Sequence, residues 1–267
     1  MDNSPTPVTD AIVDFTRSAS LDGLPTPSLA QGRTALIDTL AVAVAGAATE
    51  AAGAVRRAVE AVGGLDGPAT LVGTAQRANA LDAALMNGFA AHALDFDDTV
   101  QGLVTHPSCH LVPALLTAAE ILAPEATTND LILAHAVGTE VEARLSRTLN
   151  PGHGKRGWHA TGTFGTLATA VAVCRLIDAS PAVVRSALAI AASSASGLRG
   201  NFGTPVKPLH AGHAARNGFE SALLAAHGID GAPDAIEHRF GYLRIYSGPG
   251  FELTTEHWDV GDMLHFR

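Results

Sequence analysis

TGTFGTLATAVAVCRLI, residues Thr161–Ile177, carries a single charge, Arg175, in seventeen positions. Its apolar and small side chains go nearly all the way round a helix instead of forming one stripe. A helix apolar on every side has no face for water, so it belongs at the centre of a helical packing. Its glycines and alanines let neighbouring helices come close. It is too short, and too rich in Gly and Thr, to read as a membrane span. The stretch therefore points to an all-α fold built around one buried helix.

The segments on either side supply the surrounding helices. Ser180-Pro181 puts a cap and a first-turn proline in the expected order and opens a helix running to about Ser196. Leu209–His227 is the last strong helix and is closed by Gly228. Upstream, Asn129 is expected to cap Asp130–Leu149. Val8–Ser20, a long helix from a Ser28 cap to Ala48, Ala51–Val62, Arg77–Leu94 and Cys109–Leu122 complete the set. In the long helix Leu29, Leu36, Ile37, Leu40 and Val44 share one face. Ala69–Gly73 reads as short and extended, and Asn150–Gly157 and Gly197–Pro208 read as loops.

After Gly241 the helical period dissolves. Residues 1–241 read as the helical domain and 242–267 as a tail. The tail holds Tyr242, Leu243, Ile245, Tyr246, Phe251, Leu253, Trp258, Val260, Met263, Leu264 and Phe266. Disordered segments are poor in such residues. The tail is expected to fold back on its own helices or to dock on a neighbouring subunit.

Lys plus Arg is 17 and Asp plus Glu is 26, a formal charge of −9, so no basic stripe is available for nucleic acid phosphates. An acidic substrate remains compatible, because it needs only a few cations in one cleft. Cys109 and Cys174 fit no disulfide framework or metal-binding spacing. Met1–Pro7 has no basic or apolar leader pattern. A cytoplasmic protein with no membrane partner is the expectation.

Chemistry-bearing residues are densest at His92-Ala-Leu-Asp95-Phe-Asp97-Asp98-Thr99, followed by His106-Pro107-Ser108, on a helix–loop–helix corner. Three carboxylates and two histidines cannot all be buried unpaired, since desolvation costs several kcal/mol per ion. The plainer reading is helix capping and solvated loop charge. Asp97-Asp98 also invites comparison with the D-D-x-x-D magnesium motif, but Gln101 stands where the last carboxylate should be, and no metal is expected. Gly152-His-Gly-Lys-Arg-Gly157 matches G-x-G-x-x-G without the preceding strand that a dinucleotide site needs. His159 lies where a helix N-terminus disfavours its protonated form and favours bound anions. Lys207, just before Pro208 and a helix, suits a carboxylate. The plainer readings there are a structural histidine and a surface lysine.

Taken in order, several of these segments resemble the MmgE/PrpD family. They are Ala78-Asn79-Ala80, Leu94-Asp95-Phe96-Asp97-Asp98-Thr99 with His106-Pro107-Ser108, and Trp158-His159-Ala-Thr161. Lys207-Pro208-Leu209-His210-Ala-Gly212 and Gly228-Ile-Asp-Gly231 follow, leading to Glu237 and Gly241. The agreement runs over nearly the whole chain. Family members include 2-methylcitrate dehydratases, cis-aconitate decarboxylases and iminodisuccinate epimerases. The resemblance implies an all-helical main domain, a smaller α+β domain, a homodimer and a cleft between the domains. The sequence ends about where the smaller domain is expected to begin, so the chain reads as the helical domain alone. Thr204-Pro-Val-Lys207 stands where the dehydratases carry Trp-Lys-Gly, which favours the decarboxylase and epimerase branch.

The resemblance assigns site roles as well. His106 would transfer a proton at a carbon next to a carboxylate, with Asp95 and Thr99 orienting it or a substrate oxygen. His159 and Lys207 would bind substrate carboxylates, and His210 would line the same site. Such chemistry needs a group titrating near working pH and fixed cations for the developing negative charge. It requires no cofactor. The expected function is a lyase or isomerase acting on a small di- or tricarboxylate. The alternatives are an inactive helical partner, or one half of a split enzyme completed by a separate second-domain chain.

Overall fold

The computed structural model describes residues 8–25, 27–101, 103–253 and 256–258. Among them are eleven α-helices and one two-stranded hairpin. In chain order the elements are α1 (Val8–Ser18), α2 (Ser28–Ala47), α3 (Glu50–Ala61), β1 (Ala69–Thr70), β2 (Arg77–Ala78) and α4 (Ala80–His92). They continue with α5 (Ser108–Ile121), α6 (Thr128–Leu149), α7 (Gly152–Lys155), α8 (Ala160–Leu176), α9 (Pro181–Ser194), α10 (Val206–Ala226) and α11 (Tyr242–Ser247). The fold is all-α, as the sequence implies. Every residue of α8 from Ala160 to Cys174 is buried, so this is the central helix.

Local chemistry explains several helix starts. Ser180 caps α9 by accepting from the Val183 N–H, with Pro181 in the first turn. Thr127 and Asp130 form a reciprocal capping box on α6, displacing the expected Asn129 cap. Ser28 is the first residue of α2 and Pro27 occupies the cap. The expected helix Arg77–Leu94 starts later, because Arg77 and Ala78 pair with Thr70 and Ala69. Asn79 then accepts from the Asp82 N–H and caps α4. The proposed apolar face of α2 is split: Leu36 is buried, while Ile37 and Val44 are 69% and 52% exposed.

Three helices position the site. α10 packs mainly against α4 and α8. The α4–α10 crossing is a glycine contact: a Cβ on Gly88 would stand 3.0 Å from the Gly212 Cα, and one on Gly212 would stand 2.5 Å from the Leu85 carbonyl oxygen. No larger residue fits without moving backbone. This approach sets the C-terminal end of α4, with His92, beside the first turns of α10, with Lys207 and His210. At the start of α8, Gly162 lies against the Ser196 carbonyl and the His210 Cβ, which brings in His159.

The tail departs from expectation in having a helix, α11. Tyr242, Leu243, Tyr246 and Trp258 are buried in the main hydrophobic cluster of the same chain. Tyr246 donates its hydroxyl to the Ala195 carbonyl at 2.5 Å, and its ring lies 4.8 Å from that of Trp158. Val260, Met263, Leu264 and Phe266 lie outside the described residues. Among those described, no single helix is long and apolar enough to cross a membrane.

Candidate active site

The three carboxylates after α4 have three different partners. Asp98 accepts from the Ser108 N–H at 3.1 Å and from its hydroxyl at 2.5 Å, capping α5, while His135 Nε2 lies 2.8 Å from the same hydroxyl. Asp97 is buried between two histidines: both its oxygens lie 2.8 Å from His92 Nδ1, and one lies 3.2 Å from His106 Nδ1. Asp95 pairs with the Lys207 ammonium. The plainer capping reading thus holds for Asp98 alone.

Asp95 has a left-handed backbone, φ 57°. Asp tolerates this region better than most residues. The turn carries its carboxylate across to α10, where its side chain is 58% exposed and that of Lys207 only 16%.

Electrostatics separate the two groups of histidines. Burial opposes charge on Asp97, but hydrogen bonds from His106 and His92 overcome it and hold the carboxyl far below the usual range. For His106 burial likewise opposes charge, and the hydrogen bond and negative charge of Asp97 outweigh it, raising its pKa above 6.5. His159 goes the other way. Burial, reinforced by the nearby His210, lowers its pKa to about 2. Burial also lowers that of His210. The two Nδ1 atoms of His159 and His210 are 3.0 Å apart, so one carries a hydrogen and the other accepts it. The neutral ring that accepts keeps its Nε2–H for another partner.

These groups open on a cavity of about 270 Å³. Its wall includes His106, His153, His159, Lys155, Arg199 and Lys207, with Trp158 and Phe202 as aromatic surfaces. Three cations and no carboxylate line it, in a chain whose net charge is −9. The loops that carry the wall are tied together: His159 N–H donates to Gly197 O at 3.0 Å and Arg199 N–H to Gly157 O at 2.8 Å. Phe202 meets the His159 ring edge-on at 4.8 Å.

The structure brings Asp95, His106, His159, Lys207 and His210 into one neighbourhood. Thr99 is exposed in the loop after Asp98, and no contact ties it to this cluster among the described residues. The sequence places His92 and Asp97 in the dense segment but gives them no catalytic role, and it does not point to Phe202 or Arg199. The signal for Asp97 was present: a carboxylate flanked by His92 and His106 across one corner is placed to bridge them.

His92, Asp95, Asp97 and His106 each offer one ligand atom within 4.8 Å of the others. A cation there would have to displace Lys207 from Asp95 and break the bonds from Asp97 to the two imidazoles. Asp95 and Asp97 already have protein partners, while His92 Nε2 is buried without one.

Known proteins resemble the chain in sequence. A model of the MmgE/PrpD N-terminal domain matches residues 10–254. Cis-aconitate decarboxylase of Homo sapiens is 38% identical over 168 residues, which is 62% of this chain and 35% of that enzyme. Cis-aconitate decarboxylase of Aspergillus terreus is 28% identical over 270 residues, 97% of this chain and 54% of that enzyme. A cis-aconitate decarboxylase-like protein of Aspergillus oryzae is 31% identical over 193 residues, 68% of this chain and 39% of that protein. The chain therefore spans about half the length, or less, of these relatives.

Proposed function

The chain belongs to the MmgE/PrpD family, and from that premise we propose that its cavity is the helical-domain part of a site for lyase or isomerase chemistry on a small di- or tricarboxylate. The observation that carries this reading is the lining: Lys155, Arg199 and Lys207 with no acidic residue, in an acidic chain. Fixed cations around a partly enclosed volume favour a bound polyanion and the negative charge that develops when a bond next to a carboxylate breaks.

In this proposal Lys207 holds a substrate carboxylate and Asp95 holds Lys207. His159, neutral across the physiological range, donates a hydrogen bond and not a charge. His106 moves the proton, and Asp97 positions it, fixing the Nδ1 side so that Nε2 carries the mobile proton. Thr99 is left to contact a substrate oxygen. Because Asp97 raises the pKa of His106, a larger share of this histidine is protonated near neutral pH and holds the proton that a carbanion would take. Proton delivery to a carbanion is the step that completes a decarboxylation, which supports that branch over dehydration. No cofactor is part of the proposal.

A partner above the cavity belongs to the same proposal. Phe96 and Val104 are 76% and 72% exposed in the loop between α4 and α5, and Val104 lines the cavity. Exposed apolar groups clustered at a cavity mouth mark a surface that another domain or chain covers. That cover would come from the smaller domain, on this or a separate chain. A homodimer, which the family resemblance implies, stays within the proposal.

The test is a titration of the protein with citrate, followed by the imidazole nitrogen resonances. Shifts centred on His106, His159 and His210, lost in Lys207→Ala, are the expected result. Shifts elsewhere, or shifts unaffected by that substitution, would move the anion site away from this cavity.

A further inference from the structure

We propose that Arg199 is a specificity-determining residue, holding a second carboxylate of the ligand while Lys207 holds the first. The proposal rests on the carboxylate reading of the cavity and adds to it the residue that selects a polycarboxylate over a monocarboxylate.

Both cations lie over the ring of Phe202. The Arg199 guanidinium carbon is 5.4 Å from the ring centre and the Lys207 ammonium 5.7 Å. Sharing one ring, they stand no more than about 11 Å apart. With a hydrogen bond of about 2.8 Å at each end, at most roughly 5 Å remains for the ligand between them. That span suits two carboxylates on a short carbon skeleton and excludes a long one.

The two cations differ in what already occupies them. Lys207 is held by Asp95. Arg199 and Lys155 have no carboxylate partner among the described residues. Arg199 spends one donor on the Gly154 carbonyl at 3.1 Å. A guanidinium has five such donors in a rigid fork that matches a carboxylate, so four remain. That bond and the Phe202 contact orient the fork without neutralising it, and Lys155 lines the same wall. A ligand with one carboxylate can meet only one of the two cations, and Arg199 is the one that no protein carboxylate pairs among the described residues. A ligand with two satisfies both.

The experiment is calorimetric titration of the full chain with citrate and, separately, acetate, using the unsubstituted protein, Arg199→Gln, Arg199→Lys and Lys207→Gln. Arg199 is exposed, so its substitution should leave the melting temperature unchanged, and that is measured alongside. The expected result is citrate affinity at least tenfold weaker in Arg199→Gln and partly restored in Arg199→Lys, with acetate affinity changed by a smaller factor. Citrate binding equal in Arg199→Gln and the unsubstituted protein, but lost in Lys207→Gln, would overturn the role of Arg199 and leave the carboxylate site standing. No citrate binding to the unsubstituted chain, or binding indifferent to Lys207→Gln, would overturn both.

Discussion

Asp97 Oδ2 lies 3.2 Å from His106 Nδ1, with the carboxylate side chain wholly buried and the imidazole 22% exposed. One group faces the core and the other the cavity, so the interior of the protein sets the protonation of a group at its surface.

Substituting Asp97 tests that coupling. In Asp97→Asn burial acts on His106 with only the charge of Asp95 still opposing it, and its pKa should fall. A nitrogen NMR titration of the histidines reads this directly. An unchanged His106 titration would mean that Asp97 has no hold on it.

The same pair fixes a stability window. Asp97 is depressed, so its contribution is present above about pH 3.8 and is lost as pH falls through its folded value. His106 is raised, so its contribution is full below about pH 6.5 and is lost as pH rises through its folded value. The melting temperature of the unsubstituted protein relative to Asp97→Asn should be most favourable between these limits and narrow on either side. Asp97→Ala, which leaves the buried His92 Nδ1 without its hydrogen-bond partner, should cost about 1–3 kcal/mol in chemical denaturation.

The glycine crossing makes a mechanical prediction. Gly212→Ala would bring a methyl within 2.5 Å of the Leu85 carbonyl, so α4 and α10 must part. Overpacking of this kind costs about 1–3 kcal/mol. Citrate affinity should fall with stability, because His92 rides on α4 and Lys207 on α10. Stability lost with affinity intact would show that the crossing does not set the site.

The tail buttresses the cavity from behind. Tyr246 lies against Trp158 and is 6.0 Å from His153, both of which line the cavity. Tyr246→Phe removes the hydroxyl that reaches Ala195 and should cost about 1 kcal/mol, while deletion after Gly241 should expose the main core and cause aggregation. A soluble, fully folded deletion variant would contradict this packing.

The sequence showed the central helix clearly, because an uncharged run such as 161–174 has no exposed alternative in a helical protein. It showed the order of the helices and most of the site for the same reason: caps, glycines and clustered histidines are local signals. Pairings across the fold were not legible. Nothing local says that Asp95 crosses to Lys207 while Asp97, two residues on, turns inward to His92 and His106. That choice depends on the left-handed turn at Asp95 and on the distance between α4 and α10. Ile37 and Val44 misled for a related reason: a helical period groups apolar residues without saying which side of the group another helix covers. Arg199 had no signal until two loops were tied side by side.

Proton transfer by His106 to or from a carbon beside a carboxylate is tested most directly by incubating the protein with cis-aconitate, 2-methylcitrate or iminodisuccinate in deuterated buffer. Deuterium incorporation is followed by NMR, and it registers exchange even where no net product accumulates. The expected result is deuterium at a single carbon adjacent to a carboxylate of at least one compound, abolished in His106→Gln, with that variant still binding citrate. Exchange that survives in His106→Gln would contradict the assignment, as would its absence for every compound even after a smaller-domain chain of the family is added.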